Sequence, residues 1–151
     1  MSKLIIALFV SAGLGLAGAA SAQMVGPRNG DMPMSKDVYV SAKASADAQY
    51  KIDKDACSSM SGNANDVCVA DAKGKESIAK AEAEAAYEKT PKAREAARVA
   101  HAQANYDVAI EKCDDRAGNG KDVCVKEAKA QLVKGKSDAK VDRVTTDARL
   151  G

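Results

Sequence analysis

With 23 basic and 21 acidic side chains among 151 residues, the chain carries a net charge of only +2. That balance, with both signs interleaved, excludes the one-signed patch of a nucleic-acid binder. From residue 23 onward there is no Phe or Trp, and only Leu132, Leu150, Ile52, Ile78 and Ile110 supply leucine and isoleucine; large aliphatics fall below the roughly 20% with which a chain builds a substantial core, which excludes an enclosed active-site cavity and argues against an enzyme.

Residues 1–22 have the three-part layout of a secretory signal peptide. Lys3 is the basic start, an apolar run extends from Leu4 to about Ala20, and Ala20-Ser21-Ala22 offers small residues for cleavage. Gly13, Gly15 and Gly18 interrupt the run and no stop-transfer charges follow, so no membrane insertion is expected after cleavage. Residues 23–34, QMVGPRNGDMPM, lack periodicity and read as a flexible leader. Met24, Met32 and Met34 are soft thioether ligands suited to Cu(I), and they form the basis of a metal-binding alternative.

Beyond Ser35 the chain is rich in Ala, Glu, Lys, Gln and Arg, the strongest helix formers. Acid-before-base pairs four residues apart (Asp47–Lys51, Asp71–Lys75, Glu76–Lys80, Glu88–Lys92, Asp122–Lys126) add support on solvated faces. A first helix is predicted from Lys36, capped by Ser35, to Ser61, and a second from Ala64 to Lys89. Thr90 as N-cap and Pro91 at the first helical position start a third, running to Ala117. Val99, Tyr106, Ile110 and Cys113 fall along one seam of it. A fourth runs from Gly120 to Ala148 with Val133, Val141 and Val144 on a stripe. Gly74 and Gly135, inside helices, weaken them by about 1 kcal/mol relative to Ala.

CSSMSGNANDVC (57–68) and CDDRAGNGKDVC (113–124) stand 56 residues apart in the sequence. At that offset residues 46–73 and 102–129 share both cysteines, Tyr50 with Tyr106, Gly62-Asn63 with Gly118-Asn119, Asp66 with Asp122, and Ala72 with Ala128. This is an internal repeat. Within each copy the glycine is placed as the left-handed residue closing one helix, the asparagine as the N-cap of the next, and the aspartate in its first turn. Each unit is then a tight helical hairpin. Cysteines equidistant from such a bend face each other, so Cys57 pairs with Cys68 and Cys113 with Cys124. Structural zinc sites usually space ligands two to four residues apart, unlike these, and an exported chain meets oxidising conditions. Tyr50 and Tyr106 lie two turns from their cysteines on the same face, with Ala72 and Ala128 opposite.

The expected architecture is all-α: two tandem disulfide-clamped helical hairpins, 35–90 and 91–151 (the second with a C-terminal tail), in a loose four-helix or an elongated arrangement. In the elongated form, helices two and three join as one helix kinked at Pro91. His101, the sole histidine, has no nucleophile partner nearby in sequence and reads as a surface residue. No catalytic residue, metal ligand set or cofactor is assigned.

The stretch YDVAIEKCDDRAGNGKDVCVKEAKA (106–130) resembles a group of small Ala/Lys-rich exported proteins of proteobacteria, in the tyrosine, the paired cysteines and the Gly-Asn-x-x-Asp-Val-Cys bend. The likeness covers both repeats and implies an envelope location without implying an activity. The expected role is therefore a non-enzymatic periplasmic or secreted protein acting by contact with an envelope protein. A periplasmic copper- or zinc-binding module is the alternative.

Overall fold

A computed structural model describes residues 34–150, with the backbone alone at Leu150. The signal-peptide and leader readings lie outside these residues, apart from Met34. Four helices follow one another: α1 Lys36–Cys57, α2 Asn63–Glu88, α3 Pro91–Asp114 and α4 Gly118–Leu150. The fold is all-α, as expected, with each disulfide clamping one helical hairpin.

Local chemistry explains where the helices begin and end. The Ser35 hydroxyl accepts a hydrogen bond from the Val38 amide at 3.3 Å, and the Thr90 hydroxyl one from Ala93 at 3.1 Å. Each satisfies an amide that the first turn leaves without a partner, and Pro91 costs nothing where no amide is needed. The predicted first helix overshoots, because α1 stops at Cys57 and not Ser61. Ser58 and Ser59 turn their hydroxyls back onto the carbonyls of Asp55 and Ala56, at 2.6 and 3.0 Å, and compete with helix continuation. Helix α3 likewise stops short, at Asp114 and not Ala117, while α4 starts earlier than predicted.

Each helix packs only on its neighbour in the chain. Among the described residues α1 meets α2, α2 meets α3 and α3 meets α4, while no other pair of helices approaches within 8 Å between Cα atoms. The result is neither a closed bundle nor a long helix kinked at Pro91. The chain reverses at Lys89, which adopts φ 54°, so α3 runs back along α2. Bonds from Glu82 to His101 and from Lys136 to Gln103 join successive antiparallel neighbours.

Small residues make this packing close. The buried apolar side chains are Ala46, Ala72, Ala83, Ala93, Ala97, Ala104, Ala128 and Ala139 with Cys57 and Cys113. Gly74 and Gly135 are not the weak points that helix propensity implies. A methyl at Gly74 would meet the Ala104 methyl at 2.8 Å, and one at Gly135 would meet that of Ala102 at 2.7 Å. Both distances are below normal carbon contact. The two glycines set how near α2 and α4 come to opposite sides of α3.

Candidate interaction surface

The disulfide-clamped bends are the first candidate, because the sequence singles them out. Cys57 and Cys68 are joined with their Cα atoms 5.6 Å apart, and Cys113 and Cys124 at 5.7 Å, both within the normal range for a disulfide. Cys57 and Cys113 are fully buried, and no cysteine is free. Such bonds belong to an oxidising, exported environment. No helix among the described residues is long and apolar enough to cross a membrane.

The bend residues take places other than those expected. Gly62 is the N-cap of α2, not the residue closing α1, and its φ of 57° with ψ of −148° is backbone that only glycine adopts readily. Asn63 is therefore one step inside the helix. It makes no capping bond, and its side-chain amide is buried without a partner. The side chain that bridges the bend is Asn65, whose Nδ2 donates to the Cys57 carbonyl at 2.7 Å. Sequence reasoning passed over Asn65 because it has no counterpart in the second unit. There Lys121 occupies the corresponding position and pairs with Asp114 at 2.9 Å. Gly118, with φ 54°, begins α4, so Asn119 lies inside the helix and does not cap it. Asp66 stands in the first turn of α2, whereas Asp122 falls just beyond the first turn of α4.

Between α1 and α2 a charged cluster replaces part of the core. Glu76 is buried, accepting from Lys80 at 2.7 Å and Lys73 at 2.9 Å, while Lys80 also pairs with Asp47 across the interface. Lys73 stands over the Tyr50 ring, 5.0 Å from its centre. The hydrogen bonds from Lys80 and then Lys73 hold the Glu76 carboxyl down at about 2, below its ordinary 4.5. A depressed carboxylate stabilises the fold above its unfolded pKa and loses that contribution as the pH falls through the folded value. The hairpin is therefore expected to lose stability from about pH 4.5 towards 2. Leu132 stands at the corresponding place in α4. Glu76→Leu should flatten this acid limb in melting curves recorded against pH, and an unchanged limb would show that Glu76 does not cause it.

Nearer the other end of the same hairpin, Tyr39 and Tyr87 stack with ring centres 4.7 Å apart. The Tyr39 hydroxyl donates to Glu84 and accepts from Lys43 at 2.9 Å. In the second hairpin Glu95 and Arg143 fill the equivalent places and pair at 2.6 Å. An aromatic clasp in one hairpin is thus an ion pair in the other. His101, read from sequence as a surface residue, bonds through Nε2 to Glu82 at 2.8 Å and ties α2 to α3.

An open groove of about 530 Å³ runs between α3 and α4, lined by Ala102, Tyr106, Ala128 and Gly135 among others. Its charged rim is already engaged: Arg98 with Asp142, His101 with Glu82 and Lys134 with Asp138. No nucleophile with an adjacent base lines it, and among the described residues no group of three His, Cys, Asp or Glu side chains gathers to hold a metal ion.

What remains is the outside of the two edge helices. Val38 and Ile52 on α1 are 54% and 62% exposed, and Val133, Val141 and Val144 on α4 are 64%, 59% and 49% exposed. The predicted valine stripe of α4 exists, and it faces away from the core. Alanine takes most of the buried positions, Ile78, Val99, Ile110 and Leu132 are half-buried, and the five aliphatics of the edge helices stand in solvent. Compared with protein-family models, with curated proteins and with solved structures, the chain matches none.

Proposed function

We propose that this chain is a non-enzymatic exported protein of the cell envelope, residing in the periplasm, that acts by protein–protein contact through the outer faces of α1 and α4. One observation carries the reading: Val38, Ile52, Val133, Val141 and Val144 stand in solvent while the interior is filled by alanines. Exposed aliphatic surface contributes to stability when a partner covers it. The two disulfides support an exported location. The signal-peptide layout and the resemblance to small exported proteobacterial proteins agree with it.

The test is site-specific photo-crosslinking in intact cells. A crosslinker at Val141 should yield a discrete adduct, and one at Ala139, buried on the opposite face of the same helix, should yield none. Absence of adducts from every outward valine, together with specific uptake of a metal or small molecule by the purified protein, would sink the reading.

A further inference from the structure

We propose that the partner of these faces is a second copy of the chain, joined head to tail, with α4 of one copy against α1 of the next. The register is the one α2 takes against α3 within a single chain. The inference rests on the protein-contact reading above and names its partner.

The 56-residue correspondence supplies the geometry. It carries α1 onto α3 and α2 onto α4, so the joint between the two hairpins is a contact of a second-hairpin helix (α3) with a first-hairpin helix (α2). Moving both sides of that joint by one unit turns α2 into α4 and α3 into α1. Inside the chain Gly74 lies against Ala104 and Glu82 bonds His101. The shifted register sets Ala130 opposite Ala48 and Asp138 opposite Ser45, four residues that are all exposed. In a single chain, therefore, both halves of a third joint are present and unpartnered, one at each edge. The groove between α3 and α4 adjoins this seat, since Lys134 and Asp138 on its rim hold the places of Ile78 and Glu82.

The departures from strict correspondence favour such a contact. Val141 and Val144 stand where α2 has Ala85 and Glu88, and Val38 stands where α3 has Arg94. Each substitution adds aliphatic surface on the free edge, and the shifted register places Val144 beside Val38. It also places Lys126 near Asp55 and Glu127 near Lys51, opposite charges in both cases. One departure limits the strength. A methyl at Gly74 would clash at 2.8 Å, and its counterpart is Ala130, so the joint between copies is wider than the internal one. The association is then weaker than the internal joint. Because the faces that meet are different, each added copy leaves one free face at either end, so copies add in a row unless the rotation between them closes a ring.

Sedimentation equilibrium of the mature, disulfide-bonded protein tests this. The weight-average mass of the wild type should climb with concentration past twice that of one chain. Val141→Asp with Val144→Asp, and separately Val38→Asp with Ser41→Asp, should each remain monomeric. All four positions are exposed, so unchanged helical circular dichroism should accompany both. The decisive arm is an equimolar mixture of the two variants. Each retains the face the other lacks, so the mixture should give dimers and stop there. A wild type that stays monomeric up to about 1 mM, an α1 variant that still assembles, or a mixture without dimers overturns the proposal. If the wild type is monomeric while Val141 still crosslinks to another envelope protein, the second copy is wrong and the contact reading stands.

Discussion

Replacing Cys57 and Cys68 together by serine should cost about 3 kcal/mol of stability, the value expected for closing a loop of this size. The bond ties residues 11 apart in sequence across the bend between α1 and α2. Without it the unfolded chain regains freedom, and the bend has little else to hold it. Ser58, Ser59, Met60 and Ser61 are exposed, Asn63 makes no cap, and the Asn65 bond to the Cys57 carbonyl is the remaining side-chain tie. Cys57 is also fully buried, so serine there adds a hydroxyl in place of packed sulfur. The same double replacement at Cys113 and Cys124 should cost a similar amount, since that bend keeps the Lys121–Asp114 pair. Urea unfolding of each variant measures the loss. A loss well under 1 kcal/mol would mean that the bends hold without their clamps.

Gly74→Ala should destabilise the protein although the same change in an exposed helix stabilises it by up to about 1 kcal/mol. The new methyl would stand 2.8 Å from the Ala104 methyl, in an interface already filled by small side chains. Overpacking of this kind typically costs about 1–3 kcal/mol, enough to reverse the sign. Gly135→Ala should act in the same direction through Ala102, at 2.7 Å. The cause is separable from a general effect of mutation by a swap. Ala104→Gly introduced beside Gly74→Ala moves the methyl from one helix to the other and should recover most of the loss. A destabilisation that Ala104→Gly does not relieve would place its origin elsewhere, and a stabilisation by Gly74→Ala alone would show that α2 and α3 are not in close contact.

These two expectations mark what the sequence discloses and what it withholds. The cysteine pairing was legible because spacing about a bend and an oxidising compartment are both sequence properties. Thr90 with Pro91 was legible because a helix start is a local event. Helix propensity does not disclose the part played by Gly74 and Gly135, because it describes an isolated helix while their use lies in the distance to another one. Glu76 was visible as a partner of Lys80, but its burial beneath α1 arises only when the hairpin closes; its lowered pKa comes from the Lys80 and Lys73 bonds, which outweigh that burial. The valine stripe of α4 was visible as a stripe. Its outward direction was not, because with so few large aliphatics nearby the sequence pattern points equally well to a core. Each bend lies between its paired cysteines, yet Ser58 and Ser59 shift the end of α1 by competing for carbonyls, which moves Gly62 and Asn63 out of their expected roles.

Two hairpins, each closed by its own disulfide, underlie both the fold and its outer faces, and tryptic mapping without reductant tests them most directly. No lysine or arginine lies between Cys57 and Cys68, so residues 55–73 should appear as one peptide lighter than its reduced form by two hydrogens. Arg116 and Lys121 divide the second unit, so residues 113–116 and 122–126 should appear joined through Cys113 and Cys124. A linkage between residues 55–73 and either second-unit fragment, or free thiols in protein recovered from the envelope, would contradict the fold and the contact surfaces built on it.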